Sequence, residues 1–395
     1  MSVPFRIRGI CFLLIICGAP AAVDAGNWSH EFTMTHHRMN NNGEIENKNG
    51  TMRVWYATSR IRGFVLSGAV GNAYKFCTST VLRERLASEE LGIVYFKEFG
   101  ISIFNYGRDS TFFFRALDTV AVVSERMGFR NAPWILFGHS VDGIFAQNIA
   151  VWKPGRTVGI IHYKSGNLGN PAIMFEPCTT IAPIKDIPFL AVSGRYEEYG
   201  PDGVLAPGQS RETQWWAIRD TLRDLRTKGY RCALAVDHYG DASHTSWSIE
   251  SAELMALFAH SVARAQIPTE YDGSSAVALE RIPESEGWLS DTAIPALIDS
   301  PTILAEPVES AFDAFPAHKR STAYWHSDSV VARRWVDFHT AGDYPGATLR
   351  PRIGIGSGAR RLTGPRIHIQ SSPYTVRIEL RQSEWVYDSR GVRLE

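Results

Sequence analysis

Between residues 51 and 265, short apolar runs alternate with segments of helical spacing, and this alternation limits the fold more than any other feature of the chain. Candidate strands fall at 53–56, 63–67, 92–96, 134–137, 157–162, 189–193 and 233–237. Several are apolar at every position instead of at alternate ones, as strands covered on both faces should be. Apolar positions recur with helical spacing over 78–88, 112–127, 143–151, 212–228 and 248–265. Parallel neighbours need a crossover long enough to hold a helix, so this order predicts an α/β fold, a mainly parallel sheet flanked by helices.

The chain has 395 residues, more than one ordinary domain needs, and the regular region accounts for only part of it. Residues 1–25 read as a secretory signal: Arg6 and Arg8, the apolar run ICFLLIIC, then small residues with cleavage after Ala25. The run is too short to span a bilayer. A secreted protein, periplasmic or extracellular and not inserted in a membrane once cleaved, is the expectation. Residues 26–50 are polar and rich in Asn, consistent with a loose N-terminal arm, and His36-His37 within it reads as an exposed pair. The catalytic region is expected over 51–266. Residues 267–395 are less regular, with aromatic clusters at Trp288 and Tyr324-Trp325, a helix expected over 329–340, and alternating segments at 366–370 and 375–380. That tail is a C-terminal extension of mixed structure, either a small accessory domain or a wrap across the larger one.

Lys+Arg and Asp+Glu are equal at 41 each, so no broad electrostatic attraction to nucleic acid or an anionic membrane is implied. Of five cysteines, Cys11 and Cys17 lie in the signal, and Cys77, Cys178 and Cys232 remain. One disulfide plus one buried thiol is possible, with the pair left open. No CxxC or zinc-type spacing occurs, so no metal and no cofactor is expected.

The segment WILFGHSVDGIFAQ, residues 134–147, carries the chemistry. A hydroxyl needs a base, an acid to orient that base, and donors for the developing oxyanion before it can act as a nucleophile. A sharp turn from strand into helix exposes Ser140 and points the helix N-terminus at the developing charge. In these residues the chain resembles the α/β-hydrolase superfamily, whose nucleophile elbow reads G-x-S-x-G. Gly138 and Ser140 agree with it; Asp142 stands at the second glycine's position, and Gly143 comes one residue late.

The resemblance covers residues 51–265 and implies further partners in the chain order serine, acid, histidine. The acid is expected after the strand ending near Gly194, at Glu197, with Glu198 as the alternative. The base is expected at His244, between the last strand and the last helix, with His238 either structural or a pocket wall and His260 a packing residue. The oxyanion donors are expected from the amides of Val141 and of Ala69 in the loop after the second strand, or of Val70 in its place. The resemblance thus implies a serine esterase acting on small-molecule or polymer-linked esters through an acyl-enzyme. The aromatic clusters are compatible with acyl groups on polysaccharide or with polyesters. Two other readings stand beside it: a secreted serine peptidase, and an inactive extracellular binding protein in which Asp142 marks lost activity.

Overall fold

The computed structural model describes residues 27–39, 44–166, 168, 179–194, 215–239, 243–291 and 308–340, with the backbone of 360–372, 375–387 and 393–394. The chain runs β1 (His30–Met39), β2 (Ile45–Trp55), β3 (Gly63–Ser67), α1 (Ala73–Thr78), α2 (Thr80–Ser88), β4 (Leu91–Lys97), α3 (Tyr106–Ser124) and α4 (Gly128–Asn131). It continues through β5 (Trp134–His139), α5 (Asp142–Trp152), β6 (Thr157–Tyr163), β7 (Phe189–Gly194), α6 (Trp215–Thr227), β8 (Cys232–Asp237) and α7 (Ile249–Gln266). One eight-stranded sheet takes them in the order β1-β2-β4-β3-β5-β6-β7-β8. From β4 across to β8 every neighbouring pair is parallel, while β1–β2 and β2–β4 are antiparallel. The α/β architecture expected from the alternation is therefore the one observed.

All residues of β3, β5, β6, β7 and β8 are buried, as the continuous apolar runs require once helices cover both faces. Helices α3 and α7 each begin at a side-chain cap. Asn105 accepts from the Arg108 amide at the start of α3 while the Asn105 amide donates to Asp109, a reciprocal arrangement that satisfies two otherwise orphaned donors. Ser248 does the same service for α7, accepting from the Ser251 amide at 3.1 Å.

Residues 26–50, read from composition as a loose arm, instead supply β1 and the first part of β2. Their polar residues mislead because the hairpin is at the sheet's edge, where much of each strand meets solvent. Alternation separates the two histidines expected to be an exposed pair. His37 faces outward onto Asn47, but His36 is fully buried, stacked on Phe112 at 4.2 Å with its Nε2 3.4 Å from Asp109.

Beyond α7, β9 (Trp288–Ser290), β10 (Glu309–Ala311) and β11 (Tyr324–His326) form a small antiparallel sheet, and α8 (Ser329–Thr340) follows. Tyr324, Val331, Trp335 and Phe338 join the main hydrophobic core, so β11 and α8 pack onto the larger unit. The aromatic clusters are interior: Tyr324 and Trp325 are buried, and the Trp325 indole N–H donates to the Glu284 carbonyl at 3.0 Å. Trp288 is half-buried. The last described strands, β12 (Arg360–Ser372), β13 (Thr375–Tyr387) and β14 (Arg393–Leu394), pair antiparallel among themselves.

The described part of the extension covers a sheet edge. β8 has a neighbour on one side only, and on the other α8 meets its backbone directly. The Trp335 indole N–H donates to the Leu234 carbonyl at 2.7 Å, and the Val236 amide donates to His339 Nε2 at 3.1 Å. His339 Nδ1 in turn donates to the Trp335 carbonyl at 2.7 Å, which fixes its neutral tautomer. A bare strand edge invites pairing with another chain, and two side chains of one helix remove that option here.

Cys77, in α1, and Cys232, in β8, are buried free thiols, and burial pushes the pKa of each up to about 12. Cys178 lies outside the described residues.

Burial also pushes His162, His326 and His339 down to about 3. A folded-state pKa below the unfolded value means that the unfolded chain binds more protons in the window between them. Stability is then complete above the unfolded value and lost as pH falls toward 3, each histidine contributing about 1 kcal/mol per pH unit within the window. The urea midpoint should fall steeply from pH 6 to pH 4; a flat profile would contradict the burial of neutral imidazoles.

Candidate active site

Ser140 occupies the corner between β5 and α5 with φ at +56°, a conformation that costs a non-glycine residue roughly 1–3 kcal/mol. Backbone bonds on either side hold it: the Ser140 amide donates to the Tyr163 carbonyl at 3.1 Å, and the Gly143 amide donates to the Ser140 carbonyl at 3.0 Å. The first elbow residue must be glycine for a steric reason, since a Cβ on Gly138 would lie 2.1 Å from the Asp142 carbonyl oxygen. Val141 is the N-cap of α5, which places its amide at the positive end of the helix beside the serine.

His244 reaches this corner from the loop between β8 and α7. Its Nε2 is 2.9 Å from Ser140 Oγ, across a sequence separation of 104 residues. With the hydroxyl as donor, Nε2 is the acceptor and the ring proton sits on Nδ1. A base within hydrogen-bond reach of a hydroxyl can take its proton as the oxygen attacks an electrophilic carbon. Glu197 and Glu198, the expected orienting acids, lie outside the described residues. His238 is half-buried against Tyr239 and Phe338, and His260 of α7 faces Glu89 and the Arg85 carbonyl at the end of α2.

Asp142 has a structural explanation. Its side chain is 1% exposed and crosses to the loop after β3, where the Val70 amide donates to Oδ2 at 2.7 Å. Burial raises the carboxyl pKa, and hydrogen bonds from Ser102 and from the Val70 and Ala69 amides oppose that shift. The space comes from Gly68, on which a Cβ would stand 2.3 Å from Asp142 Oδ2. Close approach between helix and loop, which a glycine at position 142 would permit, is thus achieved with the small residue on the loop. The late glycine has its own cause: a Cβ on Gly143 would meet Ser165 Oγ at 2.0 Å. A consequence follows for the oxyanion donors. The Val70 amide is committed to Asp142, and the Ala69 amide lies on the same carboxylate.

Several residues at the site carry no motif signal. His139, between the elbow glycine and the serine, is buried, with its Nε2 3.1 Å from the His244 carbonyl. A carbonyl only accepts, so His139 carries its proton on Nε2. Burial is the main cause of its pKa falling to about 4, against the opposing hydrogen bond to the His244 carbonyl and with help from the positive charge of Lys164, and it is therefore neutral at neutral pH. Lys164 and Asp237, at the ends of β6 and β8, are fully buried 3.8 Å apart. A lysine and an aspartate at the ends of mostly apolar strand segments were the available signal, because ionised side chains are almost never fully buried without a partner.

No family model matches the chain, and no curated protein matches it. Solved structures do resemble it. A poly(3-hydroxybutyrate) depolymerase from Bordetella parapertussis is 14% identical, covering 60% of this chain and 91% of its own, with a TM-score of 0.39. A siderophore hydrolase from Aspergillus nidulans is 17% identical over 62% of this chain and 99% of its own, also at 0.39. An esterase from Pyrobaculum calidifontis is 13% identical over 60% of this chain and 87% of its own, at 0.37. The strand order and the strained elbow after β5 are this chain's own evidence that it has the α/β-hydrolase fold.

The pairing of Gly68 with Asp142 predicts strong coupling. Asp142→Ala leaves the half-buried Val70 amide without its acceptor, at about 1 kcal/mol. Gly68→Ala should destabilise the wild type through overlap with the carboxylate, yet cost little once Asp142 is alanine. Urea unfolding of the two single variants and the double variant measures this, and additive effects would contradict it.

Proposed function

We propose that the protein is a serine hydrolase that cleaves carboxylic esters through an acyl-enzyme. The observation that carries this reading is the 2.9 Å contact between His244 Nε2 and a serine oxygen held at positive φ on a strand-to-helix corner. Ser140 attacks the ester carbonyl, His244 takes the hydroxyl proton and returns it to the leaving alcohol, and water then releases the acid by the same route. Glu197 orients the imidazole in this proposal, with Glu198 as the alternative. The Val141 amide is the first oxyanion donor. Ala69 is the second, provided it exchanges its share of Asp142 for the substrate oxygen.

Export belongs to the same proposal and rests on the three-part segment at residues 1–25, which lies outside the described residues. No helix among the described residues is long and apolar enough to cross a membrane. The inactive-binder reading draws on one specific observation, the occupation of the Val70 amide by Asp142, and it predicts no turnover.

Hydrolysis of p-nitrophenyl acetate separates these readings. Ser140→Ala should lower kcat by on the order of a million-fold, and Glu197→Gln by on the order of 10,000-fold through the wrong histidine tautomer. Glu198→Gln should remain close to wild type; the reverse ranking of the two glutamates would move the acid to Glu198. A folded wild-type protein without turnover would refute the esterase reading.

A further inference from the structure

Four consecutive carbonyls, from Ser243 to Ser246, form the backbone of the turn that carries His244, and each is held by a side chain from another element. Lys164 Nζ donates to the Ser243 carbonyl at 2.5 Å, the Ser246 carbonyl at 2.9 Å and Ser246 Oγ at 2.5 Å. His139 Nε2 donates to the His244 carbonyl at 3.1 Å. Asn72 Nδ2 donates to the carbonyls of Thr245 at 3.1 Å and Ser246 at 2.9 Å. The Tyr163 hydroxyl adds a bond to the Ser246 carbonyl at 3.0 Å.

Lys164 is central to this cradle. It follows β6 directly, takes φ +49°, and its side chain is fully buried. An ammonium has three N–H donors, and three oxygen atoms of the turn lie within hydrogen-bond distance of this one. Its countercharge is Asp237, whose carboxylate also accepts from the Tyr239 amide at 3.0 Å and from the Ser248 hydroxyl at 3.1 Å. Ser248 is the N-cap of α7, so this carboxylate ties the start of the last helix to the end of the last strand. The base-bearing loop is thereby fixed at its beginning, its turn and its exit.

We propose that Lys164 is the positioning residue for His244: its ammonium gathers the 243–246 turn so that Nε2 stands at hydrogen-bond distance from Ser140 Oγ. The proposal rests on the reading of His244 as the general base. Its physical ground is the steep dependence of proton transfer on placement, where a shift of about 1 Å at a catalytic group costs on the order of 100-fold. Lys164 grips the Ser243 and Ser246 carbonyls and the Ser246 hydroxyl, on either side of His244, so it acts on the imidazole through the backbone of the turn. A purely architectural lysine would alter stability and leave the turnover of folded enzyme unchanged.

The test compares kcat and KM for p-nitrophenyl acetate in the wild type, in the double variant Lys164→Met/Asp237→Asn and in Ser246→Ala. The double variant avoids stranding a buried carboxylate. Folded double variant is expected to lose about 10- to 100-fold in kcat with KM nearly unchanged. Wild-type kcat in that variant, with the native near-ultraviolet signal, would overturn the proposal. Should the double variant not fold, Ser246→Ala decides: kcat lowered about threefold or more at constant KM supports the proposal, and unchanged kcat overturns it. Absence of turnover in the wild type would instead overturn the hydrolase reading, and this proposal with it.

Discussion

The bend at Ser140 is the constraint around which the rest is arranged. A residue with a side chain at φ +56° persists only where its surroundings leave no alternative. Here β5 enters fully buried, α5 leaves fully buried over nearly its whole length, and the intervening amide and carbonyl are both bonded. The parallel sheet supplies the rigidity, because strands covered on both faces cannot shift one residue without repacking both layers. The strain is thus sustained by the same core that the apolar runs announce. What it yields is a hydroxyl next to a helix N-terminus and within reach of an imidazole.

The polar side of the site is held by buried charges in a way that the elbow pattern does not anticipate. Asp142 draws the loop after β3 against α5, and the Lys164–Asp237 pair closes the loop before α7. Each ion is expensive to bury, and each is compensated by several hydrogen bonds, the condition under which a buried charge is tolerable. His139 adds a neutral donor between the two systems, in contact with the His244 carbonyl. Loops are the mobile parts of such folds, and here the loop bearing the candidate base is cross-braced from β5, β6 and α1.

Much of the framework was legible in the sequence because it depends on local pattern. β3 and α8 coincide with their expected spans, and β5 to β8 differ by a residue or two at their ends. The hairpin of β1 and β2 escaped because an edge strand with solvent on one side can be almost as polar as a loop. The aromatic clusters of the extension were placed in sequence, but their burial depends on packing against β8 and α7. Ser140 and His244 were legible through chain order around a fold resemblance. The contacts of Asp142 and Lys164 were not, since the Val70 amide lies 72 residues from Asp142 and the turn held by Lys164 about 80 residues from it, and nothing in local spacing links them.

The central claim is that Ser140 is a nucleophile made reactive by His244. The most direct measurement is peptide mapping by mass spectrometry after brief exposure of the folded protein to a fluorophosphonate. The account predicts one adduct, on the peptide containing Ser140, formed in wild type and strongly slowed in His244→Ala. An adduct on another residue, or labelling of Ser140 at the same rate without His244, would contradict it.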